Sequence, residues 1–400
     1  MSELRQHRNV LIAACAGVGF GIAAIPPFVL SVFAGPMTRE LGWTLQQFQM
    51  AGLFIPVGVL VAAPLGGWLL DRFGARRVAM AGLAAFAASV AGFSLVTRDP
   101  WSFYIAMLVL TVAAAGVLPT TWTRIINGAF DRQRGLALGI ALSGSGVFAT
   151  FGPTLAQTMI DTVGWRTAWL VLAALPLLIA LPLVAAFVHT RVETPASKPA
   201  AIAPGLAPRV VMRSRRFWTM IVSYGLVSLA LGGFNANLVP ILASEGLAMS
   251  EAAGVAGTLG LSLIVGRLVA GALIDRFPSP RVAAGAFSLP MLGALLLMGD
   301  SPSTGMLIAC VALMGFAAGA EYDILAFMTA RFFGLEHYGK IYASMLMPIS
   351  VATSAGAVVF GRVRDTTGSF EAAWPVVLVL CGIGAAMQLT LGPDRPTSVD

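Results

Sequence analysis

The chain has 400 residues, of which 58% are hydrophobic and 11% are charged, so its composition excludes an ordinary soluble globular protein. The formal net charge of +7 would suit a nucleic-acid-binding protein if the charge formed a basic face. The 25 Lys and Arg residues instead concentrate on alternate connecting segments, which predicts an all-α protein embedded in a lipid bilayer, with no nucleic-acid partner.

Twelve apolar stretches recur along the chain, each long enough to cross the hydrocarbon core of a bilayer as an α-helix. They are predicted at about 9–36, 47–70, 78–97, 102–127, 135–160, 166–189, 216–243, 252–274, 282–298, 304–330, 339–361 and 371–391. Of the 25 basic residues, 18 lie on one alternating set of connecting segments, five on the opposite set and two within spans. This bias predicts a multi-pass protein of the cytoplasmic (inner) membrane with both termini in the cytoplasm.

The first span follows Arg5 and Arg8 and is too long for a signal peptide, so we expect a retained helix. Pro26 and Pro27 predict a kink in this helix. Phe28 follows the kink and is a candidate for contact with a substrate.

The loop after the second span reads GWLLDRFGARR over residues 67–77. Gly67 and Gly74 would let helices approach closely, and Asp71 would face the positive end of a helix, while Arg72 stays at the cytoplasmic surface. We interpret these four residues as a gate, with Asp71 as a latch that forms and breaks. The alternative is a topology anchor that stays fixed.

Other polar residues lie within the spans or at their ends. Arg124, near the cytoplasmic end of the fourth span, is expected to extend its side chain to the membrane interface. Ser143 in the fifth span is a candidate for substrate contact, as are Asn235 and Asn237 in the seventh. Each of these uncharged residues could equally form a hydrogen bond between helices.

The longest polar stretch, residues 190–215, contains several prolines and basic residues. It predicts a cytoplasmic linker between an N-terminal six-helix bundle at 1–189 and a C-terminal six-helix bundle at 216–400.

Arg267 lies inside the eighth span, roughly 7 Å from its middle toward the cytoplasm at 1.5 Å per residue. An unpaired arginine near the centre of a bilayer costs at least ~2.5 kcal/mol. We therefore expect Arg267 to face a watery cavity, a counter-charge or a ligand. A planar guanidinium that never loses its proton suits a carboxylate, to which it can donate two parallel hydrogen bonds.

The tenth span contains two carboxylates, Glu321 and Asp323, at about the depth of Arg267. Residues two apart on a helix point some 200° apart, so one of the two should face Arg267, and we favour Asp323. In one interpretation that carboxylate pairs with Arg267 and takes a proton when a substrate anion replaces it. In the other, the pair is a fixed salt bridge between helices. Tyr322, between the acids, could contact the substrate.

An internal repeat with an offset of 204 residues relates the two halves of the chain. Residues 67–79 and 271–283 are identical at eight of thirteen positions without a gap. This repeat predicts two pseudo-symmetric bundles of six helices. The counterpart of Arg267 is Ala63, so the arginine belongs to one half alone and should serve more than the fold.

The 67–77 loop resembles the loop signature of the major facilitator superfamily, and Gly271, Asp275 and Arg276 stand where that family has its second copy. Residues 130–146, 164–170 and 331–345 resemble the monocarboxylate and oxalate/formate transporter branch. This resemblance implies a gating role for Asp275 and Arg276.

The branch also has an arginine on its eighth helix that binds the substrate carboxylate, and Arg267 lies eight residues before Asp275 as that arginine does. Branch members often place an acid four residues before the arginine, where this chain has Leu263. The proton acceptor is therefore left open.

The predicted function is secondary transport of a small organic anion, a monocarboxylate, by alternating access as a proton symporter. We expect neither an enzyme nor a cofactor or metal, because the sequence contains no ATP-binding loop, metal-ligand cluster or nucleophile and base. We also expect a monomer. The alternatives are a drug/proton antiporter, for which Gly152 and Pro153 are a partial match, and a sensor on the same scaffold that does not transport.

Overall fold

The computed structural model describes residues 3–130, 134–188, 206–299, 302–334 and 336–392. Almost all of these residues are helical, and they contain no strand. The first eleven α-helices are α1 (Glu3–Gln6), α2 (Arg8–Gly19), α3 (Ile25–Leu41), α4 (Leu45–Met50), α5 (Phe54–Phe73), α6 (Ala75–Gly92), α7 (Pro100–Ala113), α8 (Pro119–Ala129), α9 (Arg134–Leu142), α10 (Gly144–Leu175) and α11 (Leu181–Phe187).

The remaining nine are α12 (Pro208–Val211), α13 (Arg215–Ala236), α14 (Leu238–Ser244), α15 (Met249–Ala256), α16 (Thr258–Ile274), α17 (Ser279–Leu297), α18 (Thr304–Phe333), α19 (Tyr338–Thr367) and α20 (Ala373–Leu389). Short 3₁₀ segments at Ala51–Leu53, Phe93–Leu95 and Ala114–Val117, and a π-helical turn at Pro176–Ala180, connect several of them.

Nine helical segments of the described chain are long and apolar enough to cross a membrane. One of them, Ala137–Phe187, has 51 residues and covers two predicted spans. The first predicted span is divided between α2 and α3, and the last is the shorter helix α20. The nine segments cover ten predicted spans, because Ala137–Phe187 contains two of them. With the first and the last span, the structure accounts for all twelve predicted spans.

Two local features explain where the helices break. α2 ends at Gly19 and α3 begins at Ile25 with prolines in its first turn, so the predicted kink in the first span is a short non-helical break. Gly164 interrupts α10 with a φ of 80°, a backbone conformation that glycine adopts without strain. The chain therefore turns there, and the residues before and after Gly164 form two separate helical stretches.

The chain divides into two compact units. Unit 1 consists of Met1–Pro195, Leu238–Ala243 and Ala248–Gly260. Unit 2 consists of Ala196–Asn237, Ser244–Leu247 and Leu261–Asp400. The division therefore passes through α16, whose first residues belong to unit 1. The predicted domains at 1–189 and 216–400 stay predictions, and residues 190–205 of the predicted linker lie outside the described residues.

Close contacts at small residues hold the helices of unit 1 together. The ring of Trp122 on α8 lies over Gly17 on α2, and Gly144 on α10 meets the backbone oxygen of Cys15. Phe33 and Trp169 stack at 3.9 Å between ring centroids in the centre of the unit. Small residues allow such short separations, and van der Waals packing is what remains to hold helices together in lipid.

In unit 2, α13 packs along α19 and α17 packs along α18 and α20. A methyl group on Gly356 of α19 would lie 1.9 Å from the backbone oxygen of Leu229 on α13. The helices could not come this close with any larger side chain at that position. Unit 2 contains Arg267, Glu321 and Asp323, and its packing determines how these three meet.

Candidate functional site in unit 2

Two glycines bring α16 and α18 into backbone contact at the level of the charged residues. A methyl group on Gly266 would lie 2.2 Å from the backbone oxygen of Phe316, and one on Gly319 would lie 2.1 Å from that of Leu263. Gly266 directly precedes Arg267, and Gly319 lies one helical turn before Asp323. The close crossing therefore sets the separation of the two charged side chains.

Arg267 and Asp323 form an ion pair across this crossing, with 3.7 Å between Nε of Arg267 and Oδ2 of Asp323. This distance exceeds that of a hydrogen bond, and Nε is a buried nitrogen with no hydrogen-bond partner among the described residues. The two side chains are 27% and 46% exposed, so neither is sealed inside helix packing. The guanidinium is therefore held loosely and keeps donors for another anion.

Glu321 has different surroundings, although it lies two residues from Asp323. Glu321 is 3% exposed, and its Oε1 accepts a short hydrogen bond from the hydroxyl group of Ser228 on α13. No Lys, Arg or His of the described chain forms an ion pair with it. The expectation that only one acid would face Arg267 agrees with this geometry.

Tyrosines surround the two acids. Tyr322 lies in hydrogen-bonding range of Ser228 and Thr353, and Tyr342 on α19 is close enough to interact with both Glu321 and Asp323. Tyr338 stacks on Tyr342 with 5.5 Å between ring centroids. Together with Tyr224, which also interacts with Glu321, four of the five tyrosines of the chain cluster here.

Sequence reasoning missed Ser228, Tyr224, Tyr342 and Thr353. A serine or threonine in an apolar span gives no signal of its own, because such residues commonly bond to their own helix backbone. The uneven distribution of tyrosine was a usable signal, since four of five lie in the second half of the sequence.

The two asparagines proposed for substrate contact differ. Asn237 is fully buried, and its amide nitrogen donates to the backbone oxygens of Gly233 and Ala357. Asn237 therefore joins α13 to α19, as expected if it forms a hydrogen bond between helices rather than a contact with the substrate. Asn235 is partly exposed, and its Oδ1 is buried without a hydrogen-bond partner in the described chain. A substrate-binding role remains a prediction for both.

Phe28 and Ser143, the other two candidates, lie in unit 1. Phe28 is half-buried in the first turn of α3. Ser143 precedes α10, and its hydroxyl group donates to the backbone oxygen of Gly139 at 2.8 Å. The structure gives neither residue a contact that identifies a ligand.

The gating residues of the 67–77 loop join α5 to α6 and α8. Nη1 of Arg124 lies 2.6 Å from Oδ1 of Asp71, so the observed partner of the predicted latch is a side chain. Arg72 lies over the ring of Trp68, with 5.4 Å to its centroid. Gly67 has open space around it, and Gly74 has a φ of 77°. The expectation that Arg124 extends to the membrane interface stays a prediction, and its guanidinium pairs with Asp71, a partner that sequence analysis did not indicate.

The second copy of the loop is built differently. The counterpart of Gly74 is Pro278, whose φ of −55° cannot reproduce the left-handed turn. Asp275 and Arg276 are both exposed. Their gating role remains a prediction, and the structure gives them no ion pair like that of Asp71 within the described residues.

A second charged cluster in unit 1 lies at the C-terminal end of α3, where Glu40 is the last residue but one. The carboxylate of Glu40 accepts short hydrogen bonds from Arg166 and from Nε1 of Trp165, 2.6 Å away in the latter case. These two hydrogen bonds lower the pKa of Glu40. The cluster fastens α3 to α10 just after the turn at Gly164, and sequence analysis did not predict it.

No group of three metal-ligating side chains occurs in the part of the chain that the structure describes. The polar groups of the candidate site are instead the guanidinium group of Arg267, the carboxyl groups of Glu321 and Asp323, and several hydroxyl groups. Such a set is suited to a small anion and to protons rather than to a metal ion.

Comparison with known proteins supports a transport role. A family model described as the Major Facilitator Superfamily matches residues 10–357 and 220–399. The solved structure of nucleoside transporter NupG superimposes with a TM-score of 0.73 at 13% identity, covering 98% of each chain. This similarity concerns the fold alone.

Two related transporters are similar to this chain over most of their length. Monocarboxylate transporter 13 of Bos taurus is 27% identical over 346 residues, covering 84% of this chain and 78% of the relative. The 3-(3-hydroxy-phenyl)propionate transporter of Escherichia coli (strain K12) is 28% identical over 354 residues and covers 84% of each. Both relatives are transporters, which agrees with the expectation that the chain is not an enzyme.

Proposed function

Because the chain belongs to the major facilitator superfamily and has its fold of twelve membrane helices in two bundles, we propose that it transports a small organic monocarboxylate by alternating access. Its place is the cytoplasmic membrane, with both termini in the cytoplasm, and it works as a single chain. The match to a monocarboxylate transporter and to an aromatic-acid transporter supports this substrate class.

The observation that carries the proposal is the loosely paired Arg267. Its guanidinium is partly exposed, has an unused buried donor and lies 3.7 Å from an exposed carboxylate. A substrate carboxylate can form the short, parallel hydrogen bonds that Asp323 does not form. The exchange of one carboxylate for another keeps the buried cation neutralised throughout, which avoids the cost of an unpaired charge in the membrane.

The tyrosines suggest how the rest of the substrate is held. Tyr322 and Tyr342 adjoin the acids of α18, where their rings can pack against the apolar part of an organic acid. Because one cation is available in this cluster, a single carboxylate is the matching charge. Phe28, Asn235 and Ser143 remain candidates for further contacts.

Proton coupling is part of the proposal. When the substrate releases Asp323 from Arg267, the negative charge within unit 2 increases by one, and a proton bound to either Asp323 or Glu321 would restore the balance. The Asp71–Arg124 pair is the proposed latch, because a single ion pair at the surface is weak enough to form and break during each cycle.

Uptake of a labelled aromatic acid such as 3-phenylpropionate into proteoliposomes tests this function. We expect uptake by the natural protein and none by Arg267→Ala, since an unpaired Asp323 would then repel the substrate. Arg267→Lys should retain part of the uptake, because the charge stays while the two-pronged geometry is lost. Normal uptake by Arg267→Ala in a correctly folded protein would refute the assignment.

A further inference from the structure

Glu321 is buried among neutral groups that come from four helices. Ser228 on α13 donates to its carboxylate, and Tyr224 on α13, Tyr322 on α18, Tyr342 on α19 and Cys381 on α20 lie within its electrostatic range. Asp323, two residues further along α18, instead pairs with Arg267. Among described residues, Glu321 therefore has hydroxyl and thiol neighbours but no cation.

A carboxylate in such a place is costly. An ionised side chain taken out of water needs a counter-charge or several hydrogen bonds, and Glu321 has one strong hydrogen bond, from Ser228. Asp323 is in the opposite position, since its side chain is 46% exposed and adjoins a guanidinium. Of the two acids, Asp323 therefore keeps its charge more easily when the substrate takes its partner, and Glu321 more strongly favours the protonated form.

The hydroxyl groups beside Glu321 form a connected series. Ser228 donates to Glu321, and Tyr322 lies in hydrogen-bonding range of both Ser228 and Thr353. Tyr322 is itself partly exposed. These hydroxyl groups thus lie between the buried carboxyl group and a partly exposed residue of α18, and each of them can both accept and donate a hydrogen bond.

We propose that Glu321 carries the coupling proton, and that Ser228 and Tyr322 conduct it, while Asp323 acts only as the exchangeable partner of Arg267. The proton leaves the carboxyl oxygen of Glu321 through the hydroxyl groups to water, and the negative charge remains on Glu321 until a proton returns. This inference rests on the proposed function for its role in transport, but its first test does not require any substrate.

Infrared spectroscopy of the purified protein is that first test. The natural protein at neutral pH should show the carbonyl stretch of a protonated carboxyl group. Glu321→Gln should lack that band, and Asp323→Asn should retain it. The proposal is overturned if the band is missing in the natural protein, persists in Glu321→Gln or disappears in Asp323→Asn.

A second test separates coupling from binding, with 3-phenylpropionate as the probe. With an inward gradient of one pH unit, a symporter of one proton accumulates substrate up to about tenfold, because both gradients then store equal free energy. Glu321→Gln, which mimics the protonated acid, should exchange labelled for unlabelled probe but accumulate none. Accumulation by Glu321→Gln at the natural level would overturn the proposal. If the natural protein fails to bind the probe, the proposed function is wrong, and the infrared result still decides whether Glu321 holds a proton.

Discussion

At the scale of single residues, two acids on one helix differ in what surrounds them. Asp323 faces Arg267 and is half exposed, whereas Glu321 is buried under the Ser228 hydroxyl group. This difference is possible because side chains two positions apart on an α-helix point about 200° away from each other around the helix axis. The two carboxyl groups can therefore serve different steps of one cycle.

Replacing Asp323 should strengthen anion binding. Asp323→Asn removes the carboxylate that competes with a substrate for Arg267, and a partly exposed ion pair of this kind is worth about 0.5–1 kcal/mol. We expect 3-phenylpropionate to bind about two- to fivefold more tightly in a calorimetric titration. Asp275→Asn, a change at an exposed position outside the site, should leave the affinity unchanged. Weaker binding by Asp323→Asn would mean that this carboxylate holds the substrate rather than competing with it.

Charged residues were the part of the site that sequence could predict. Arg267, Glu321 and Asp323 stand out because an ionisable group inside an apolar span is rare and costly. The positions of Ser228 and Tyr342 near the acids, and of Thr353 near Tyr322, could not be predicted, because they arise from the packing of α13 and α19 against α18. The partner of Arg124 was missed for a related reason: its distance from the span end was visible in the sequence, but its proximity to Asp71 was not.

At the scale of elements, the crossing of α16 and α18 places the charged pair. Gly266 and Gly319 allow backbone atoms of the two helices to touch, so the positions of Arg267 and Asp323 follow from two missing side chains. The repeat supports this interpretation, since the counterpart of Gly319 in the first half is Ala115, another small residue.

Gly319→Ala should damage both stability and binding. The new methyl group would lie 2.1 Å from a backbone oxygen, so the helices must separate, and overpacking of this kind costs about 1–3 kcal/mol. We expect a lower melting temperature and weaker binding of 3-phenylpropionate. Gly271→Ala is the matched control on α16, because it has no neighbour within 4 Å. An unchanged Gly319→Ala protein would show that the crossing does not position the pair.

At the scale of the whole molecule, the twelve spans and their loops follow from hydrophobic length and from the bias of basic residues. Sequence reasoning located every span and the kink in the first, but it did not foresee that residues 20–24 leave the helix or that Gly164 turns the chain with a positive φ. Both features depend on local backbone geometry, to which a hydropathy pattern is insensitive. The Glu40 cluster was missed because its residues are 126 positions apart at most and meet only in the folded unit.

The central claim is that Arg267 binds the carboxylate of the substrate. The most direct test is a binding titration of 3-phenylpropionate and its neutral amide, which differ little in shape but differ in charge. The natural protein should bind the acid at least about tenfold more tightly, because hydrogen bonds to a charged group contribute about 1.5–3 kcal/mol. Arg267→Ala should bind both compounds equally weakly. If Arg267→Ala still prefers the acid as strongly as the natural protein does, another group binds the anion and the account is contradicted.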